Sequence, residues 1–112
     1  MRVLAIDDLR ELPQASVLAR SYDEGIRQLM LNGPWDVLLL DHDLASFDEQ
    51  GKEKTGYDIV CFLEENIQYL PGRIECVSAN PVGRARIIAV CTSLYRGKNG
   101  RGSDSGHVEA NV

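Results

Sequence analysis

Two acidic clusters, Asp7-Asp8 and Asp41-His42-Asp43, each stand directly behind a short aliphatic run. Val3-Leu4-Ala5-Ile6 leads into the first and Val37-Leu38-Leu39-Leu40 into the second. Four aliphatics ending in an acid form the pattern of a buried parallel strand whose carboxyl end leaves the core. Carboxylates gathered from two such ends repel one another, and their pKa values rise unless a cation neutralises them. Hard oxygen ligands favour Mg2+ or Mn2+, so Asp7, Asp8 and Asp41 are the candidate metal ligands. A turn or a helix cap also explains an isolated acidic pair; a second cluster in the same position after a strand favours the metal pocket. His42, flanked by acids, suits general acid or base work, and packing beneath the strand end explains it equally well. Asp41, His42 and Asp43 are the candidate catalytic residues. Strand alternation puts Asp41 and Asp43 on one side and His42 on the other, unless the chain turns immediately after Asp41.

The complementary charge lies later, in Ser78-Ala79-Asn80-Pro81-Val82-Gly83-Arg84-Ala85-Arg86. Asn80 and Pro81 make a good start for a helix, whose free N–H groups and positive dipole end can grip a phosphate with an arginine nearby. Ser78, Asn80, Arg84 and Arg86 are the candidate substrate ligands. Gly83 inside a first turn costs roughly 0.5–1 kcal/mol, which close approach of a ligand would justify. Between Cys76 and Ser103 there is no acid but five bases, leaving −10 for the rest of a chain whose net charge is −5. An acidic part beside a basic part can hold a cation next to an anion; solvated helix faces and a basic tail are the plainer explanation.

These residues need elements to position them. Beside the two aliphatic runs, Ala15 to Arg20 alternates as a more exposed strand, and Ile74 to Ser78 is a short strand near the sheet edge. Ser21 to Glu24 matches a capping box that opens a helix ending at Gly33-Pro34. Thr55 caps a second helix running to about Tyr69, and a third runs from Pro81 to about Tyr95. Residues 9–14 and 44–54 read as loops, the second long enough to be functional. The order β-β-α-β-α-β-α predicts an α/β fold with a four-stranded parallel sheet in three layers. The domain is expected over residues 1–96, with a disordered Gly/Ser-rich tail at 97–112 that includes His107.

Composition narrows the function classes. Hydrophobic residues are 44% and charged residues 26% of 112, the balance of one soluble globular domain. No apolar run approaches the ~20 residues that span a bilayer and no signal peptide is visible, which predicts a cytoplasmic protein without a membrane partner. The negative net charge argues against a general DNA binder. Three widely spaced cysteines fit neither a disulfide framework nor a close-spaced zinc site.

The motif order resembles a known group. Paired acids after the first strand, an acid after the third and Ser78 after the next resemble the receiver domains of two-component signalling, which bind Mg2+ and accept a phosphoryl group on the acid matching Asp41. Leu40-Asp41-His42-Asp43-Leu44, Thr55-Gly56-Tyr57-Asp58 and the segment from Ser78 to Arg86 are more closely similar to the cyclic-phosphate processing receiver family, over residues 2 to about 90. That resemblance implies a small receiver-like, flavodoxin-like fold, truncated relative to signalling receivers. It also implies a metal-dependent phosphoesterase-like role on cyclic phosphates, at RNA ends or in small cyclic nucleotides. The alternative is a non-catalytic module that binds a phosphorylated or cyclic-nucleotide ligand, or a partner protein. The lysine–proline pair that follows the fifth strand of signalling receivers has no counterpart, and Val77 stands where the family has a histidine.

Overall fold

The computed structural model describes residues 1–98, with side chains to residue 96. In chain order it contains β1 (Val3–Ile6), β2 (Val17–Ala19), α1 (Tyr22–Leu31), β3 (Val37–Leu40), β4 (Ser46–Phe47), β5 (Glu53–Lys54), α2 (Gly56–Glu65), a 3-10 turn (Ile67–Tyr69), β6 (Arg73–Cys76) and α3 (Pro81–Lys98). The four expected strands form one sheet in the order β2-β1-β3-β6, parallel at every pairing. This is the small receiver-like α/β architecture anticipated above. The expected tail lies outside the described residues, apart from Gly97 and Lys98, which continue α3.

The pleat sorts the strand side chains into two sets. Leu4, Ile6, Leu38, Leu40 and Ile74 join Leu29 of α1, Ile59, Val60 and Leu63 of α2, and Ile87, Cys91 and Leu94 of α3 in one buried cluster. Ala5, Val37 and Leu39 form a second cluster on the other face, with Leu12 and Ala15 packed against it. All three helices therefore share one face, and the third layer is the extended β1–β2 connection rather than a helix. Connection handedness explains this division. The steps from β2 to β3 and from β3 to β6 run the same way across the sheet, so right-handed crossovers place α1 and α2 together; the step from β1 to β2 runs the other way and must cross the opposite face. That connection contains Pro13 and lacks helical periodicity, so it crosses without a helix.

Local details differ instructively from the sequence expectation. Ser21 Oγ accepts the Glu24 N–H at 3.1 Å, yet the Glu24 carboxylate returns to the N–H of Arg20 instead of Ser21. The reciprocal capping box belongs to Thr55 and Asp58, at the start of α2. α2 ends at Glu65, four residues before Tyr69, because the chain tightens into the 3-10 turn after Asn66, whose amide bonds the Phe62 carbonyl at 2.9 Å. Ile67 is left 47% exposed as a result. The 44–54 segment carries an antiparallel hairpin, β4 with β5. Its turn is tied by Asp48 Oδ1, which accepts the N–H groups of Gln50 and Lys52 and is held below the usual carboxylate range chiefly by the latter bond. Leu44, fully buried, anchors the hairpin to the core. Among the described residues no helix is long and apolar enough to cross a membrane.

Candidate functional site

β1 has β2 on one side and β3 on the other, so the order of connection reverses between β1 and β3. A crevice beyond the strand ends at such a point is where ligands of open parallel sheets bind. Ile6 and Leu40 are register partners, which makes Asp7 and Asp41 the next residues of adjacent strands. Their backbones are pinned there: the Asp7 N–H donates to Ala19 O and the Asp41 N–H to Ile6 O, both at 3.0 Å. Asp7 is fully buried and Asp41 nearly so. Asp7, Asp8 and Asp41 each offer a carboxylate oxygen within 4.8 Å of the other two. Asp7 and Asp41 continue the parity of Ala5 and Leu39, the face crossed by the β1–β2 connection.

That connection supplies the local cation. Two ionised carboxylates within 4.8 Å of each other repel by about 3 kcal/mol or more at an effective dielectric of 20, too much to leave unanswered in a small domain. Arg10 answers it: Nη1 lies 3.1 Å from Asp7 Oδ2 and 3.6 Å from Asp41 Oδ1. Asp7 Oδ1 also accepts the N–H groups of Leu9 and Arg10, at 3.0 and 2.8 Å. Arg20 steadies the loop, donating to Arg10 O at 2.9 Å and to the Glu11 carboxylate at 2.8 Å. Even so, burial, followed by the charge of Asp7, pushes the Asp41 carboxyl above its ordinary range; Arg10, the His42 N–H and the Ser78 hydroxyl pull the other way.

The donor set fits a small divalent ion. Octahedral Mg2+ with ligands at about 2.1 Å spaces its oxygens by roughly 3–4 Å, and the carboxylate oxygens of all three acids lie within 4.8 Å of one another, near that spacing. The guanidinium of Arg10 stands in the same place, but its side chain is 39% exposed and has solvent to turn into.

A polar rim lies beside the acids. The chain turns after Asp41, so alternation does not hold: His42 Nδ1 is 2.8 Å from Asp43 Oδ1, on the same side. Asn80 Nδ2 stands 3.5 Å from both Asp43 oxygens, at the limit of hydrogen-bond reach. Asn80 Oδ1 caps α3 by accepting the Gly83 N–H at 3.0 Å, and Ser78 Oγ accepts the Asn80 N–H at 3.0 Å. Two glycines make these approaches possible. A Cβ on Gly83 would lie 2.3 Å from His42 Cγ, so this glycine accommodates the imidazole, which corrects the expectation of a closely approaching ligand. A Cβ on Gly56 would lie 2.1 Å from the Asp41 carbonyl oxygen.

Among the described residues, Arg84 and Arg86 form no ion pair with the acids. Arg84 Nη1 donates to Cys76 O at 2.7 Å, and the Arg86 guanidinium stacks over the Tyr57 ring at 4.0 Å. Sequence reasoning passed over Arg10, the cation that does reach them, because it lies in a loop without periodicity; a base three residues beyond a strand-end acid was the available signal. The three cysteines are free. Burial raises each thiol pKa, that of Cys91 to about 12, which disfavours the reactive thiolate.

The family model of the cyclic-phosphate processing receiver domain matches residues 2–93. No curated protein and no solved structure matches the chain. The matched span takes in the whole parallel sheet, both acidic clusters and the Ser78–Arg86 segment, and the chain belongs to the cyclic-phosphate processing receiver domain family.

Proposed function

We propose that the protein is a metal-dependent phosphoesterase that opens cyclic phosphates, on RNA ends or in small cyclic nucleotides. The observation that supports it most is the convergence of Asp7, Asp8 and Asp41 at the sheet's switch point, beside a rim of hydrogen-bonding side chains. Those three acids are the residues that would hold Mg2+ or Mn2+. A divalent ion held there supplies positive charge for phosphoryl oxygens and makes water more acidic. His42, its Nδ1 engaged by Asp43, keeps Nε2 to pass a proton from the attacking water to the departing ribose oxygen. Water adds across one P–O bond, that bond breaks, and a phosphate monoester results. The Ser78 hydroxyl and the Asn80 amide would bind phosphoryl oxygens at the rim. Arg84 and Arg86 would join them only by leaving the Cys76 carbonyl and the Tyr57 ring. Three free cysteines support a reducing compartment, the cytoplasm, as the setting.

The test is incubation with 2′,3′-cyclic nucleotides, and with an RNA oligomer ending in a 2′,3′-cyclic phosphate, in Mg2+, in Mn2+ and in EDTA, with products weighed by mass spectrometry. The expected product has gained one water and forms only with a divalent ion. Intact recovery of a ligand that nonetheless raises the melting temperature would identify a binding module instead. Neither binding nor turnover would remove the proposal.

A further inference from the structure

Arg10 is the cation that reaches the acidic pocket, and Arg84 and Arg86, the arginines conspicuous in the sequence, are engaged elsewhere. Its guanidinium sits between Asp7 and Asp41, where a divalent ion would have to enter. Both cations cannot occupy that position. The backbone of Arg10 is fixed independently of its side chain, by its N–H on Asp7 Oδ1 and by Arg20 on its carbonyl. Displacing the guanidinium thus leaves the arginine tethered at the mouth of the pocket, with a free planar fork of donors. An ion held by the acids draws phosphoryl oxygens to the same mouth, and a guanidinium pairs with phosphate in bidentate fashion.

We infer that Arg10 is the phosphate-binding arginine of this site: it neutralises Asp7 and Asp41 while no ion is bound, and exchanges them for the ligand's phosphoryl oxygens when a divalent ion enters. This rests on the phosphoesterase reading and adds a residue to it. Arg10 then has opposite effects on two ligands, opposing the ion and favouring the phosphate. A residue that only braces the loop would support both.

The experiment is a pair of titrations on the wild-type protein and on Arg10→Ala, with Mg2+ followed by calorimetry and inorganic phosphate in saturating Mg2+ followed by 31P NMR. Arg10→Ala is expected to bind Mg2+ about tenfold more tightly, through loss of a competing charge. It is expected to bind phosphate about tenfold more weakly, through loss of a charge-assisted pair. Arg10→Lys should recover part of the phosphate affinity. Arg10→Gln keeps the stem without the charge and serves if Arg10→Ala fails to fold. Weaker binding of both ligands, or tighter Mg2+ with unchanged phosphate, would overturn the inference while the metal reading stands. Failure of the wild-type protein to bind Mg2+ at all would overturn both.

Discussion

Asp41→Asn is expected to lower kcat/KM for a 2′,3′-cyclic nucleotide by about a thousandfold, the scale of losing a group that stabilises transition-state charge, while leaving the fold intact. The stability half of this expectation follows from the electrostatics. Burial and the neighbouring Asp7 raise the folded-state pKa of Asp41 above its unfolded value. Such a group binds its proton more tightly in the folded state. Its contribution to stability is present below the unfolded pKa and is lost as pH rises through the folded one. Near neutral pH the ionised carboxylate is therefore a net burden, whereas an asparagine of the same shape still accepts the His42 N–H. In EDTA at pH 7 the melting temperature of Asp41→Asn should equal or exceed that of wild type, and the gap should close as pH falls to about 4. A variant several degrees less stable at pH 7 would show that Asp41 braces the fold, and its loss of activity would then say nothing of chemistry.

Gly56→Ala is expected to destabilise the protein by about 3 kcal/mol or more, from a single methyl group. Its Cβ would stand 2.1 Å from the Asp41 carbonyl oxygen and 3.1 Å from His42 Cα, and backbone atoms there have little freedom to retreat. The Gly56 N–H also donates to His42 O at 2.8 Å, so forcing α2 away breaks the contact that fixes the turn after β3. Urea unfolding of the two proteins measures the loss, and activity should fall with it because Asp41 and His42 are displaced together. Gly25 makes a useful contrast. Its Cβ would meet Ile6 Cδ1, the end of a flexible side chain that can turn aside, so Gly25→Ala should cost less.

The unequal legibility of this sequence has physical causes. β1 and β3 were visible because central parallel strands are covered on both faces and must be apolar throughout, so Val37 to Leu40 could hardly be anything else. The acids at their ends were visible for the same reason, as abrupt stops in such runs. Helix caps at Ser21 and Thr55 are short-range signals and were legible as well. β4 and β5, two residues each, are too short to show a period. The partner of Arg10 depends on the parity of two strands and on which face the β1–β2 connection crosses, information spread over the whole sheet. Gly83 signalled a close approach without saying by what, and the answer, a histidine 41 residues earlier, belongs to the tertiary fold. The turn after Asp41 likewise cancelled the alternation that would have separated His42 from Asp43.

The central claim is that Asp7, Asp8 and Asp41 hold a divalent ion together. Titration of the 15N-labelled protein with substoichiometric Mn2+ tests it directly, since paramagnetic broadening of amide signals falls off steeply with distance from the ion. Broadening should begin at the amides of residues 7–10 and 41–43 and be absent from Asp41→Asn at the same Mn2+ concentration. Broadening that begins instead at the acidic residues of the hairpin, Asp48, Glu49 and Glu53, or that spreads evenly over the surface, would contradict it.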